Sequence, residues 1–148
     1  MILDLILAIG HHILVFGLAI MLATELARLR PGLTGANLTG LARLDAGYGA
    51  TAGLILVVGV LRVIYGVKGA AYYLPNPWFW GKMAAFAAIG LISIAPTVTF
   101  LKWRKAQVAD AGFTPTDAEV ARTRRYLVWQ VGLLLVVVSL AAAMARLG

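Results

Sequence analysis

Apolar residues come in four long runs, Ile2 to Leu26, Ala46 to Tyr65, Trp80 to Leu101 and Tyr126 to Ala145, with most polar residues in the stretches between. A helix rises 1.5 Å per residue, so about 20 residues cross ~30 Å of hydrocarbon. Each run approaches that length. The runs are continuous and lack the polar/apolar alternation of barrel strands, which selects helices. A soluble bundle would carry a polar stripe along every helix, and these runs mostly carry none. The expected fold is all-α: an integral membrane four-helix bundle forming one transmembrane domain over residues 1–148, with helices at about 2–28, 44–66, 80–104 and 117–146.

The connections agree with these limits. Pro31-Gly32 and Gly35-Ala36-Asn37 break the chain after the first run. Thr116-Asp117-Ala118-Glu119 reads as a capping box that starts the fourth helix before it enters the membrane. Pro96 is expected to kink the third helix. The first run begins at Met1 with Asp4 and no preceding Lys or Arg, so it reads as a retained helix and not a cleaved leader.

Composition fits the pattern: 61% of residues are hydrophobic and 13% charged, too apolar for a water-facing surface. With no cysteine, thiolate chemistry and Cys-ligated metals are excluded. The net charge of +7 does not indicate nucleic acid, because the basic residues flank the apolar runs and form no soluble patch. Their distribution sets an expected direction. Arg28, Arg30, Arg43, Lys102, Arg104, Lys105, Arg122, Arg124 and Arg125 fall on one side, against Arg62, Lys68, Lys82 and Arg146 on the other. The positive-inside rule then places both termini outside the cytoplasm, N-out and C-out. The arginines of the inner connections are read as topology signals that also attract anionic lipid.

Ionisable residues at membrane depth are costly and are candidates for function. On the first helix, Asp4, His11, Glu25 and Arg28 follow a heptad-like stripe, with His12 rotated about 100° from His11. Arg62 and Tyr65 end the second helix and Trp80 and Lys82 open the third, with Lys68, Tyr72, Tyr73, Trp78 and Phe79 between or beside them. These groups converge on the outer third of the bundle. The aromatics alone would make an interfacial belt and the lysines could snorkel, but Arg62 sits one turn inside an apolar run. Glu25 and Arg28, at i,i+3, are read as a structural ion pair. Gly49 and Gly53 form a GxxxG step suited to close helix packing, with Gly59 continuing the small face, and the step permits a homodimer. Scattered Met1, Met21, Met83 and Met144 argue against copper handling.

The spacing resembles the HemJ family of four-helix bacterial membrane proteins, linked to protoporphyrinogen oxidation and binding b-type haem. His12 and Arg28 match the family's first-helix His-to-Arg interval of sixteen, Arg43-Leu44 its Arg-Leu pair, and Gly59 its deeper Gly. Trp78, Trp80 and Lys82 are similar to its third-helix opening. Ile94-Ala95-Pro96 stands where that family carries a His, and Glu25 where it carries an aromatic. The chain is equally similar to an uncharacterised family of bacterial membrane proteins with the same four-helix plan. The resemblance implies the bacterial inner (cytoplasmic) membrane, haem b or a related porphyrin, and oxidoreductase activity. Cofactor contacts would fall on His11, His12, Arg62, Tyr65, Trp80 and Lys82, with iron on one imidazole. The stripe selects His11 and the family interval His12; His12 is taken first, since adjacent residues cannot flank one iron. Three readings stay open: a haem protein, a transporter or binder of an anionic amphiphile, and a non-catalytic accessory subunit.

Overall fold

A computed structural model describes residues 2–147. Its helices are α1 (Ile2–Arg28), α2 (Ala36–Tyr65), α3 (Gly69–Tyr73), α4 (Pro77–Ala109) and α5 (Asp117–Leu147). The four long helices run up, down, up and down. Around the bundle the order is α1, α2, α4, α5, each packed on its antiparallel neighbours, with the short α3 against α2.

All four long helices are long and apolar enough to cross a membrane, yet only 11–17% of their most apolar windows is buried inside the bundle. The hydrophobicity is therefore directed outward. Ile6, Ile13, Phe16 and Ile20 on α1, and Leu91, Ile94 and Leu101 on α4, are exposed at the level of the apolar runs. So large an exposed apolar belt suits lipid and would be untenable in water.

The helix ends follow from local chemistry. After α1, Gly32 and Gly35 take φ of +80° and +50°, the left-handed conformations a reversal this tight requires and a side chain would oppose. Leu29 and Leu33 anchor that turn in the core. The second helix begins at Ala36, not near 44. Its added turns bury Leu38, Leu41, Ala42 and Asp45, an i, i+3, i+4, i+7 face. That face is amphipathic, so a search for continuous apolar runs passes over it. The third long helix likewise starts earlier, at Pro77, where the Asn76 side chain caps it by accepting from the Trp78 amide at 3.0 Å.

The expected capping box is present. The Glu119 amide donates to Thr116 Oγ1 at 3.3 Å and the Thr116 amide to Glu119 Oε2 at 3.0 Å. Helix α4 runs without interruption through Pro96, which is buried. At the arginine-rich end, Arg124 of α5 donates through one terminal nitrogen to the carbonyls of Leu26 at 2.7 Å and Leu29 at 3.1 Å. These are carbonyls that the end of a helix leaves without an internal partner, so α5 caps α1 from outside.

Candidate functional site

At the end of the bundle where α1 begins and α5 finishes, the N-terminal turn, the α2–α4 connection and the last turns of α5 meet. The Val67 amide donates to Asp4 Oδ1 at 3.3 Å, and the Tyr72 hydroxyl to the Met144 carbonyl at 2.8 Å. Tyr73 packs on Phe79 and Phe79 on Trp80, with ring centroids 5.6 and 5.4 Å apart. Trp80 Nε1 donates to the Leu74 carbonyl at 3.0 Å. Lys68 lies over Tyr72 at 3.9 Å from the ring centre, and Lys82 over Phe79 at 5.3 Å.

Beneath this aromatic layer lies a cavity of about 360 Å³. Its walls are mostly aliphatic and aromatic, with Leu18, Ile55, Tyr73, Phe86 and Leu134 among them, and His11, Arg62 and Lys82 supply its polar groups. A volume of this size lies within the range of small-molecule sites, which extends down to roughly 300 Å³. Gly59 shapes one side: the position its side chain would occupy lies 3.7 Å from His11 Cε1, so the imidazole packs directly on α2. His11 Nδ1 and Arg62 Nε are both buried without a hydrogen-bond partner.

Of the residues singled out from the sequence, the structure brings His11, Arg62, Trp80 and Lys82 together around this cavity. His12 and Tyr65 are not among its walls. His12 is exposed on the outer face of α1, its ring donating to the Ala8 carbonyl at 2.6 Å, and Tyr65 is 61% exposed. The cavity thus includes the histidine of the stripe and not that of the family interval. Tyr73, Met83, Phe86 and Met144 also line the cavity and were not singled out as site residues. Aromatic density in the α2–α4 connection pointed toward Tyr73, whereas Met144 is brought in only by the return of α5.

Two other expectations are corrected. Glu25 makes no ion pair with Arg28. Glu25 is wholly buried with both carboxylate oxygens unpartnered, whereas Arg28 is exposed and extends over Gly40. Three or four residues of separation allow a pair, but here burial of one partner and solvation of the other separate them. Gly49 and Gly53 do not serve packing inside the bundle either, since both are exposed with nothing within 4 Å. The glycines of α2 that admit neighbours are Gly40, under Arg28, Gly47, against Met21, and Gly59, against His11.

No curated protein and no solved structure matches the chain. The model of a family described as "Predicted membrane protein (DUF2214)" matches residues 3–148, and the chain belongs to that family.

Proposed function

We propose that the cavity binds a carboxylate-bearing amphiphile and that its occupant is a b-type haem or a related porphyrin. The observation that carries this reading is the grouping of an unpartnered imidazole and two cationic side chains in one largely apolar cavity. Such an occupant needs apolar walls for its ring, cations for its carboxylates and, where iron is present, a neutral imidazole. This chain offers each: His11 as the ligand, Arg62 and Lys82 as carboxylate partners, and Phe86, Ile55 and Leu134 as walls. Iron held there would supply one-electron chemistry; His11 would orient it and the aromatic layer would limit the entry of water. The cavity supports binding. The HemJ resemblance extends the proposal to a membrane oxidoreductase of the bacterial inner membrane.

The test is an absorption spectrum of detergent-purified protein expressed with added haem precursor. The expected result is a Soret band that His11→Ala abolishes and His12→Ala leaves in place. Colourless protein under those conditions overturns the haem.

A second reading keeps the amphiphile and omits the metal, making the protein a binder or small transporter. It is favoured by the buried and unpartnered Arg62 Nε, which calls for an anion whether or not iron is present. Under it, Arg62→Gln and Lys82→Gln abolish binding of an anionic amphiphile while His11→Ala remains active.

A further inference from the structure

The half of the bundle away from the cavity holds a second set of buried polar groups on α1, α2 and α5, with the half-buried Thr97 of α4 beside them. Glu25 of α1 has 0% exposure, and neither of its carboxylate oxygens has a hydrogen-bond partner. Asp45 and Tyr48 of α2 are 5% and 3% exposed. Gln130 of α5 is also at 0%; it accepts from the Tyr48 hydroxyl at 2.9 Å, and its Nε2 has no partner. Thr97 of α4 faces Asp45.

A structural carboxylate at this depth would be expected to meet an arginine or hydroxyl donor, because an unpaired charge in a low-dielectric interior costs several kcal/mol or more. Arg43, two residues before Asp45, is exposed, and two further arginines at this end are committed elsewhere. Arg28 of α1 turns outward over Gly40, and Arg124 of α5 donates to the main-chain carbonyls of Leu26 and Leu29. The ionisable groups facing Glu25 are Asp45, a second acid, and Tyr48. Among the described residues, two acids are therefore buried here with no cation paired to either.

We propose that Glu25, Asp45, Tyr48 and Gln130 form an internal binding site for one small monovalent cation, a proton or sodium. The available donors are oxygens, the ligand type that hard cations take. Among the described residues, no group of three or more His, Cys, Asp and Glu is placed to hold a metal ion. The ligands on offer are the two carboxylates and the neutral oxygens of Tyr48 and Gln130. The unpartnered Gln130 amide closes the cluster on the α5 side, where it can hold a water that completes the cation's shell. The site is independent of the porphyrin proposal, because none of its residues lines the cavity.

The experiment uses the full chain in nanodiscs, in sodium chloride and in choline chloride, over a range of pH. If a proton is bound, the infrared spectrum shows the carbonyl band of a protonated carboxylic acid. Glu25→Gln removes this band, and Asp45→Asn changes its frequency or intensity, since the neighbouring acid has been removed. If sodium is bound, sodium chloride raises the melting temperature above that in choline chloride, and Glu25→Gln and Asp45→Asn each remove the difference. Wild-type protein with neither signal overturns the proposal, as does either signal persisting unchanged in both variants. Should Glu25→Gln fail to fold, Asp45→Asn decides alone: a signal it leaves unchanged overturns the site.

Discussion

His11 and His12 differ by one position along α1 and by everything around them. A step of about 100° carries one ring into the cavity beside Gly59 and leaves the other on the outer face, bonded to its own helix. With haem in the cavity, as proposed, ligand chemistry should therefore separate cleanly between them, in the Soret band and in affinity for added haemin alike. The cations make a second, graded prediction. Hydrogen bonds to charged groups contribute about 1.5–3 kcal/mol each, so Arg62→Gln or Lys82→Gln should weaken haemin binding by roughly ten- to a hundredfold in equilibrium titration. Replacing Tyr65, 61% exposed and outside the cavity, should leave the affinity within about twofold, the range of a surface change near ±0.5 kcal/mol. The sequence made His11, Arg62, Trp80 and Lys82 legible because costly polar residues stand out in apolar runs. It could not rank His11 above His12, since facing depends on which neighbours cover each side of α1. Of the buried set around Glu25, the sequence pointed to Glu25 alone, as one half of an ion pair with Arg28. Gln130 joins it only through the packing of α5 across from α2.

At the scale of single helices, the ends are specified more locally than the faces. The Thr116–Glu119 box was readable because its partners lie three residues apart, and its geometry is as expected. Thr116→Ala should cost about 1 kcal/mol, measured as a lower melting temperature in detergent. The cap that α5 places on α1 was not readable, because Arg124 and Leu26 are ninety-eight residues apart. Arg124→Ala should lower the melting temperature by at least as much as Thr116→Ala, with Arg124→Lys recovering part of the loss, since a single terminal nitrogen makes both contacts. The early start of α2 shows where hydropathy alone misplaces a boundary. Residues 36–45 bury one face and solvate the other, so they lack a membrane run and still continue the helix.

For the molecule as a whole, the sequence carried the fold class because four spans with short connections leave few ways to pack. The direction of insertion rests on charge, and it can be measured directly. The chain has no cysteine, so single cysteines introduced at Ala71 and Ala111, both exposed, report the two ends without background. In intact inner-membrane spheroplasts, an impermeant maleimide should label position 71 directly and position 111 only after permeabilisation; the reverse pattern would invert the topology.

On the side of the cavity toward the Glu25 cluster, its wall residues Leu18 and Ile55, with Leu22 and Ile89, are almost fully buried. On α1 the interval from Leu18 to Glu25 is about 10 Å at 1.5 Å per residue. This aliphatic layer acts as a dielectric septum within the bundle. An applied membrane voltage falls most steeply across such a layer, and carrying one elementary charge through the full field is worth about 2.3 kcal/mol per 100 mV. With charge in both compartments, as proposed, the two occupants would stand at different potentials across an energised membrane.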